Sequence, residues 1–409
     1  MKKISTHFDI VIVGAGLVGT SLALLLQKTN LSVAIIEARP FKSHETDQGK
    51  ALALSYGSYR VFLEMGLWPE LDAQATPIQQ VHISEKGRFA RVKLKAEEAK
   101  LPVLGYLVNE PILSGVLQRH LEKAACELFC PAQVTEIHQD DKEATLKLSD
   151  GRNITANLVI AVDGQQSTIR RLLNIPVKET DYQQSAIVAR VNTSAFHGYT
   201  AYERFTDKGT IALMPQPGNQ ISVIISADNT IIKEWQAYDD AQLLEALQKK
   251  CGYRVGRFLS IGKRSCYPLK AVIAEKQIVP PRVILAGNAA HSIHPIAAQG
   301  LNLSLYDASM LVDLLKQMRD EKKSFDTIVL LNSYLERVKS YQKQVIGFTK
   351  TVVDMFHSKS ASKSILRQLG LAGFEYSECL KRGFIQRATG YSARFLRTAD
   401  ENNFETESK

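Results

Sequence analysis

Cysteine is scarce in this sequence, and the cysteines present lack a pattern. The 409 residues include five cysteines, an odd and scattered set. Cys126 and Cys130 are four residues apart in a stretch that we predict to be helical, so they could share a face, but no histidine or second cysteine pair accompanies them. These spacings match neither a disulfide framework nor a zinc site. We therefore expect reduced thiols and no bound metal.

Long apolar runs are also missing. No segment approaches the roughly eighteen consecutive apolar residues of a membrane-spanning helix. Met1-Lys2-Lys3 before an apolar stretch imitates a signal peptide, but that stretch is short and leads directly into a glycine-rich turn that the fold requires. We expect a cytoplasmic protein.

Internal repeats, low-complexity segments and recognisable nucleic-acid-binding motifs are absent as well, which argues against repeat folds and against DNA or RNA as a partner. The chain is 45% hydrophobic, enough for a sizeable core and for more than one domain. Helix and strand patterns alternate along it. This alternation predicts an α/β fold.

A glycine-rich motif opens the chain in the context of a βαβ unit. Gly14-Ala15-Gly16-Leu17-Val18-Gly19 follows an apolar strand from Phe8 to Val13. A helical pattern continues to about Lys28, and a second strand, Ser32 to Ile36, ends at Glu37. A GxGxxG motif between a strand and a helix is typical of dinucleotide binding.

Each residue of this motif has a predicted role. Gly14 makes the tight turn, Gly16 lets the pyrophosphate approach the backbone, and Gly19 allows the helix to pack closely on the strand. Glu37 can accept hydrogen bonds from ribose hydroxyls. An acid there disfavours a 2′-phosphate, so the pattern predicts FAD or NAD rather than NADP.

A second motif, Ala161 to Arg170, contains Asp163-Gly164 after another apolar strand, Asn157 to Val162. Read alone, it is equally well explained as a strand-end turn. Ser167 would then be a helix N-cap, and Arg170 with Arg171 would be solvated helix charges.

A third motif, Gly287 to Leu303, follows the strand Val283 to Ala286 and leads into an apolar helical pattern. Its helix start offers free backbone N–H groups to an electron-rich partner. Pro295 stiffens the turn, and Gly300 lets the main chain approach a flat ring. The amides between Ile296 and Asn302 are candidates for holding negative charge at one edge of that ring.

Together the three motifs resemble the class A flavoprotein aromatic hydroxylases, the group of para-hydroxybenzoate hydroxylase, in which all three contact one FAD. Within that group the chain is most similar to the ubiquinone-biosynthesis hydroxylases of the 2-polyprenyl-6-methoxyphenol branch. The resemblance extends from Asp9 to about Asp313. The stretches that carry the closer match are Lys50–Ser58, Leu104–Val108, Tyr202–Phe205 and Gly262–Leu269.

The resemblance implies an FAD-dependent monooxygenase that uses O2 to hydroxylate an electron-rich, polyprenylated phenol at its para carbon. NAD(P)H or a reductase would supply electrons. Asp163, Gly164, Gly287 and Asn288 would hold pyrophosphate and ribitol. Pro295, Gly300 and Asn302 would line the flavin ring.

Three positions depart from the family pattern. Asn288 stands where the wider group has aspartate, keeping an acceptor oxygen without the charge. Lys50 replaces an arginine and loses its bidentate fork, so a flavin or phosphate contact there would be looser. Ala298 replaces a glycine, which puts the loop conformation in doubt.

No residue stands out as a catalytic base. His291 and His294, next to Pro295, are candidates for proton relay, and each can equally be a packed neighbour of the site. Phe205, Met214 and Pro215 are candidates for an apolar substrate slot, although such side chains are more often core.

We predict three parts. A discontinuous FAD-binding, Rossmann-like βαβ domain comprises residues 1–75, 104–176 and 268–318. An antiparallel-sheet substrate domain, inserted as in para-hydroxybenzoate hydroxylase, comprises 76–103 and 177–267. A C-terminal helical region with a polar tail comprises 319–409.

Individual elements within these parts can also be predicted. Pro111 to Phe129 has the pattern of one long helix. Arg257 to Tyr267 has the pattern of a single strand.

The formal net charge of +9 is concentrated near the end of the chain. The segment from Lys359 to Arg397 contains eight basic residues and only two acidic ones, Glu375 and Glu378. Apolar residues are interleaved among them. Such a region either binds an anionic membrane surface or an acidic partner protein, or packs on the fold with its charges solvated. The first reading predicts peripheral attachment to the inner membrane or to other quinone-biosynthesis proteins.

Three alternatives remain open. A nicotinamide-dependent dehydrogenase would explain the first motif but not the other two. A flavin hydroxylase for another aromatic compound would use the same scaffold. A non-catalytic, lipid-binding subunit of a quinone-biosynthesis assembly would tolerate Lys50 and Asn288.

Overall fold

The computed structural model describes residues 6–41, 50–321, 327–357 and 361–390. In these ranges the strands are β1 (His7–Val13), β2 (Val33–Ile36), β3 (Ala51–Ser55), β4 (Thr76–Ile78), β5 (Gln80–Glu85), β6 (Arg91–Lys95), β7 (Gly105–Asn109), β8 (Glu127–Phe129), β9 (Val134–Gln139), β10 (Ala144–Leu148), β11 (Asn153–Ala161), β12 (Val177–Thr193), β13 (Thr200–Thr206), β14 (Gly209–Gln216), β15 (Gln220–Asp228), β16 (Phe258–Ile261), β17 (Ser265–Ala274), β18 (Ile278–Val279), β19 (Val283–Leu285) and β20 (His291–Ser292). The α-helices are α1 (Leu17–Leu26), α2 (Tyr56–Glu64), α3 (Trp68–Asp72), α4 (Glu110–Glu122), α5 (Thr168–Leu172), α6 (Asn229–Ala237), α7 (Asp240–Cys251), α8 (Gln299–Asp320), α9 (Thr327–His357), α10 (Ala361–Tyr376) and α11 (Glu378–Ala388).

The first sheet has five parallel strands at its centre, in the order β19-β11-β1-β2-β8. The hairpin β9–β10 pairs with the first half of β11. The central strands of this first sheet are apolar on both faces because both faces are covered by other parts of the protein. Ile10 and Ile12 pack in the cluster that includes α1 and α8, whereas Val11 and Val13 pack in the cluster on the opposite side. The predicted α/β fold with its Rossmann-like unit is confirmed.

One predicted helix is wrong in its last third. The stretch Pro111 to Phe129 is helical only as far as Glu122, and β8 then extends the parallel sheet beside β2. A short apolar run fits a helix or a strand equally well, and the free edge of β2 decides between them. Cys126 and Cys130 consequently flank a strand and share no helix face.

The second sheet has nine strands in the order β20-β17-β12-β15-β14-β13-β5-β6, with β16 beside the end of β12. It is antiparallel except for the pair β13 and β5. The predicted boundary at residues 267 and 268 falls inside β17, because Lys270–Ala274 continue the pairing with Val177–Asp181. The predicted strand Arg257 to Tyr267 is two strands, β16 and β17, which pair with different segments of β12.

A small third sheet, in the order β3-β7-β4, lies beside α2. The third motif is attached to the second sheet as well as to the first, since His291 of β20 pairs with Ile273 of β17. This connection places the segment after β19 between the two large sheets.

The C-terminal helices close one side of the second sheet. α10 contacts β6, and α11 contacts the short 3-10 turn Ala96–Ala99. Leu371, Phe374, Phe384 and Ile385 pack into a cluster with Tyr56, Ile78 and Met214. These four apolar side chains of the predicted basic region therefore pack on the fold, whereas Tyr376 and Leu380 are exposed.

One basic side chain of that region is neutralised inside the protein. Lys381 is 5% exposed, and its ammonium lies 2.5 Å from Glu98 and 3.5 Å from Glu375. Lys359, Arg394, Arg397 and the polar tail lie outside the described residues. Among the described helices, none is both long and apolar enough to span a bilayer.

Candidate active site

Three parallel strands, β1, β11 and β19, end side by side, and each leads into one of the three motifs. The N–H of Val162 donates to the carbonyl oxygen of Val13 at 2.9 Å, and that of Ala286 donates to Ala161 at 2.9 Å. Ligands of open α/β sheets bind beyond the carboxyl ends of the strands. Segments about 120 residues or more apart in sequence thus form one edge of the first sheet.

Gly14 and Gly19 lie where a side chain has no room. Gly14 has φ +106°, and a Cβ there would lie 2.8 Å from the carbonyl oxygen of Val162. A Cβ on Gly19 would lie 1.8 Å from the carbonyl oxygen of Gly14. The predicted tight turn and close packing of helix on strand are both present in this geometry.

Gly16 differs from these two glycines because it is exposed and a Cβ there would meet no atom within 4 Å. It is the N-cap residue of α1, and among the described residues no side chain caps this helix. The first N–H groups of α1 therefore face an open space, as an anion site at a helix start requires.

Glu37 holds the glycine-rich loop in place. Its Oε2 accepts a hydrogen bond from the N–H of Ala15 at 2.8 Å, and its Oε1 accepts one from Arg39 at 2.9 Å. Each carboxylate oxygen has a second lone pair. Glu37 can therefore fix the loop and still accept a hydrogen bond from a ligand.

Asp163 has one carboxylate oxygen engaged and one free. Its Oδ2 accepts hydrogen bonds from the N–H groups of Thr168 (2.6 Å) and Ile169 (3.1 Å) at the start of α5. Its Oδ1 is buried without a hydrogen-bond partner among the described residues. A buried acceptor without a partner is costly, so this oxygen points to a ligand donor. Gly164 follows with φ +88°, which aims the chain back across the strand ends.

Arg170 connects the second motif to the third, a role for which the sequence gives little signal. It is only 7% exposed and donates to the carbonyl oxygens of Gln165 (2.6 Å) and Ala289 (2.9 Å). The reading of Arg170 as a solvated helix charge is wrong, since backbone carbonyls from both motifs surround it. Ser167 is the N-cap of α5, accepting from the N–H of Arg170 at 3.0 Å.

Gly287 begins the third motif against the first. It has φ +55°, and a Cβ there would contact Val18 of α1 and Ser304 of α8 at 3.5 Å. Asn288 is exposed next to it. The Asn288 amide is thus accessible at the edge that Gly16 and Asp163 share.

The loop after Pro295 has two alanines in the left-handed region, Ala297 at φ +59° and Ala298 at φ +50°. Non-glycine residues reach that region at a cost of about 1 kcal/mol each. The expected effect of Ala298 in place of glycine is therefore visible as backbone strain. Pro295 and Ala297 are exposed at the surface of this loop.

The loop ends at α8, a 22-residue helix whose N-terminus is not capped by any side chain among the described residues. Gly300, in its first turn, is partly exposed, and a Cβ there would meet only the Ile293 side chain at 3.9 Å. The first turn of α8 offers N–H groups and the positive end of a helix dipole.

The side chain of Asn302 is used inside the protein. Its amide nitrogen donates to Ala53 (3.0 Å) and Ala298 (2.8 Å), and its oxygen accepts from Ser55 (2.9 Å) and Ser58 (2.7 Å). Asn302 therefore fixes the strained loop on β3 and α2. Only its backbone remains available to a ligand.

His291 and His294 have different surroundings. His291 is fully buried, and its Nε2 lies 2.6 Å from the Asp307 carboxylate, which also accepts from Gln342 at 2.8 Å. The Nδ1 of His291 has no partner among the described residues. This pair ties the third motif to α8 and α9.

His294 lies closer to the second sheet. Its Nδ1 accepts a hydrogen bond from the N–H of Ile296 at 3.1 Å. Its ring packs edge-on against the ring of Tyr182 in β12, with 4.8 Å between the two ring centres. Ile296, Tyr182 and Phe205 belong to one apolar cluster. Of the two histidines, His294 is therefore the one that lies between the loop before α8 and the second sheet.

The sequence matches the FAD binding domain family over residues 7–349. It is 30% identical over 392 residues to the 3-demethoxyubiquinol 3-hydroxylase of Escherichia coli, covering 93% of this chain and 98% of that protein. It is 29% identical over 385 residues to the ubiquinone hydroxylase UbiL of Rhodospirillum rubrum, covering 93% of this chain and 89% of that one. The chain belongs to the FAD-dependent hydroxylases of ubiquinone biosynthesis.

The fold of this FAD-dependent hydroxylase matches solved structures. The structure of p-nitrophenol 4-monooxygenase PnpA from Pseudomonas putida has a TM-score of 0.76 with 19% sequence identity, covering 94% of this chain and 99% of that one. The two proteins share one fold over nearly the whole length of both chains. The chain is accordingly a flavin monooxygenase and not a nicotinamide-dependent dehydrogenase.

The described residues fit FAD on three independent features. The space beside Gly16 can admit a pyrophosphate, and the free oxygen of Asp163 can accept a hydroxyl hydrogen bond. The uncapped N-termini of α1 and α8 suit two electron-rich groups, a pyrophosphate and a flavin edge.

One face of the second sheet, here called the inner face, lies toward the loop before α8. Phe205 packs with Ile296, and Met214 packs in the neighbouring cluster with Tyr56. Pro215 follows Met214 in β14 and, by strand alternation, lies on the other face with Leu213. Two of the three candidate slot residues thus face the site, and Pro215 does not.

Lys50 lies at another contact between the two large parts of the protein. It is exposed, and its ammonium lies 6.0 Å from the ring centre of Tyr267 in β17. This weak cation–π contact spans from the start of β3 to the second sheet.

Proposed function

We propose that the protein hydroxylates the ring of a polyprenylated methoxyphenol in ubiquinone biosynthesis, using O2 and reduced FAD. The observation that carries the proposal is the meeting of three strand ends opposite the apolar inner face of the second sheet. Two relatives named above act on ubiquinone precursors by name. An apolar face carrying Phe205 and Met214 suits a phenol ring and the start of a polyprenyl tail.

FAD, when bound, supplies electrons and activates O2. Gly14, Gly16, Gly19 and Glu37 would hold its ADP half. Asp163, Gly164, Gly287 and Asn288 would hold pyrophosphate and ribitol, and Pro295, Gly300 and the backbone of Asn302 would line the ring. Lys50 would approach from the start of β3. The protein's own contribution is to orient the ring, exclude water and provide the α8 N-terminus for negative charge.

His294 is the stronger of the two candidates for proton relay, because it lies beside the inner face while His291 is bonded to Asp307 away from it. The sequence has a single GxGxxG fingerprint. Electrons would accordingly come from NAD(P)H bound without a second βαβ unit, or from a reductase.

The membrane is the proposed source of the substrate. Tyr376 is 89% exposed and Leu380 is 57% exposed near Arg382 and Arg387 on the C-terminal helices. Such a mixture of aromatic, apolar and basic side chains fits an anionic bilayer surface. Co-sedimentation with phosphatidylglycerol vesicles, compared with phosphatidylcholine vesicles, tests this contact.

The hydroxylation is tested by a single turnover that needs no natural donor. The purified protein with bound FAD is reduced with dithionite and mixed with 18O2 and 2-farnesyl-6-methoxyphenol. We expect one 18O atom in the ring of the product, and mass spectrometry with NMR identifies the carbon.

Gly16→Val is the disruptive variant: its side chain should block the space through which the pyrophosphate approaches and give a colourless, inactive protein. The matched control is a valine at an exposed glycine elsewhere. Gly347→Val, on the exposed surface of α9, should remain yellow and active. A wild-type protein that binds flavin but yields no labelled product would refute the proposal and favour a non-catalytic lipid-binding subunit.

A further inference from the structure

Glu203 of β13 lies on the inner face of the second sheet, where the other nearby acid, Glu85 of β5, accepts a hydrogen bond from Gln368 at 2.6 Å. Side chains alternate along β13, so Ala201, Glu203 and Phe205 share one face and Tyr202 and Arg204 the other. Phe205 packs with Ile296 of the loop before α8. Glu203 therefore projects into the space between this sheet and the loop.

The lateral neighbours of Glu203 are apolar. It pairs with Ile83 of β5 on one side and with Ala212 of β14 on the other. Ala201 and Phe205, its neighbours along the strand, belong to the two apolar clusters of this face. Its carboxyl group has no hydrogen bond or ion pair within the described ranges, and it retains some exposed surface. It is thus largely enclosed by apolar side chains and still partly accessible.

Burial among these neighbours raises the pKa of Glu203 to about 7. The titratable groups of this face and of the elements packed against it include Glu85 of β5, Tyr182 of β12, His294 of the loop and Asp354 of α9. Arg204 turns away, donating to Ser84 and to the carbonyl oxygen of Lys250 on the far side of the sheet. A carboxyl group that costs energy to bury and serves no structural contact is a candidate for chemistry.

We propose that Glu203 is the general base that accepts the hydroxyl proton of the phenol substrate. This inference rests on the proposed function, which supplies the phenol. The position combines reach into the crevice, apolar walls that fit an aromatic ring, and one proton acceptor. No other carboxylate lies on the inner face of β13.

The proton transfer is balanced. The O–H bond of the phenol breaks, its electron pair stays on oxygen, and the proton adds to a Glu203 carboxylate oxygen. The resulting phenolate is a better carbon nucleophile toward electrophilic oxygen. When the hydroxylated ring becomes aromatic again, its C–H proton leaves to solvent, and Glu203 returns its own proton to the ring oxygen.

Single-turnover kinetics of the holoenzyme test the proposal, with 2-farnesyl-6-methoxyphenol as the probe. In the wild type, product formation should increase with pH through a step near 7. Glu203→Gln should slow it about 100-fold at pH 7 and remove the step, because general bases typically contribute this much. FAD content and the Kd for the probe should change by less than about threefold, since a neutral isostere leaves the crevice intact.

Three comparisons separate a base from a structural residue. Glu203→Asp should restore part of the rate, because it returns a carboxylate. A fluorinated probe with a more acidic phenol should raise the rate of Glu203→Gln more than that of the wild type. Glu179→Gln, at an exposed acid of the same sheet paired with Lys270, should leave rate and pH profile unchanged.

The two possible failures are distinguishable. A Glu203→Gln variant with a near-normal rate and an intact pH step overturns the base while the proposed function stands. A wild type that forms no product from the probe overturns both.

Discussion

At the nucleotide-binding edge, the groups that face a ligand are mostly main chain. They are the N–H groups at the start of α1, beside the glycines at positions 14, 16 and 19, and those at the start of α8, with Asp163 as the main exception. On the inner face of the second sheet the groups are side chains, namely Glu203, Phe205 and Met214. Main-chain recognition depends on spacing along the sequence, whereas side-chain recognition depends on strand alternation and packing.

The largest effect on stability should come from the contact between these two regions, where the third motif is bonded to α8. Asp307→Ala removes the acceptor shared by His291 and Gln342, and each buried donor left without a partner costs about 1–3 kcal/mol. Urea unfolding of the apoprotein measures the change. Asp320→Ala, at the exposed end of the same helix, should change stability by less than about 0.5 kcal/mol. Equal effects of the two variants would contradict a structural role for the buried pair.

A side chain of the nucleotide edge should change FAD affinity without a comparable effect on the substrate face. Asp163→Ala removes the free Oδ1, and we expect FAD to bind about 100-fold more weakly, as for the loss of a hydrogen bond to a charged group. Fluorescence titration of the apoprotein with FAD measures the Kd. Asp150→Ala, in an exposed turn, is the control. Unchanged FAD affinity in Asp163→Ala would break the assignment of this edge.

On the substrate face, Glu203 should make stability depend on pH. Because its pKa in the folded protein, about 7, lies above its ordinary value of 4.5, its contribution is fully present below pH 4.5 and is lost as pH rises through 7. Glu203→Gln removes this loss. The Tm of the variant relative to wild type should therefore rise by about 2–4 °C between pH 5 and pH 8. A Tm difference that is independent of pH would show that the carboxyl group is not desolvated.

The smallest expected effect concerns the loop that joins the two regions. Ala298→Gly relieves a left-handed alanine, and after the entropy cost of glycine we expect a net gain of about 0.5–1 kcal/mol. Ala246→Gly, in the middle of α7, should instead lose about that amount. Thermal unfolding of the two variants compares the signs. Destabilisation by both substitutions would mean that the loop strain is absent.

The nucleotide edge was predictable because its signals are local. A glycine triplet between a strand and a helix specifies its own geometry, and Gly14 and Gly19 have the predicted turn and close packing. Glu37 follows β2 as predicted, and the structure adds its hydrogen bond from the N–H of Ala15. The resemblance added the fold of the inserted sheet. The helix assigned to Pro111–Phe129 failed where a short apolar run had no local preference and pairing with β2 made it a strand.

Arg170, Asp307 and Glu203 escaped the sequence analysis for a common reason. Each is a charged residue whose meaning depends on what surrounds it, and an isolated arginine or acid in a sequence is most often solvated. The sequence carried only weak signals for two of them. Asp307 is a carboxylate on the apolar face of α8, and Glu203 is an acid among the apolar residues that alternate along the inner face of β13.

The amino-acid sequence by itself determined the α/β fold and the glycine turns, because spacing and periodicity act over a few residues and need no distant partner. The family followed from the resemblance of its motifs to known proteins. Only the tertiary structure decided that Asp163 keeps an oxygen without a partner among the described residues, that His291 is bonded to Asp307, and that Glu203 shares the face of Phe205. Burial and hydrogen-bond partners are properties of the space around a side chain, and that space is built from segments that meet only when the chain is folded.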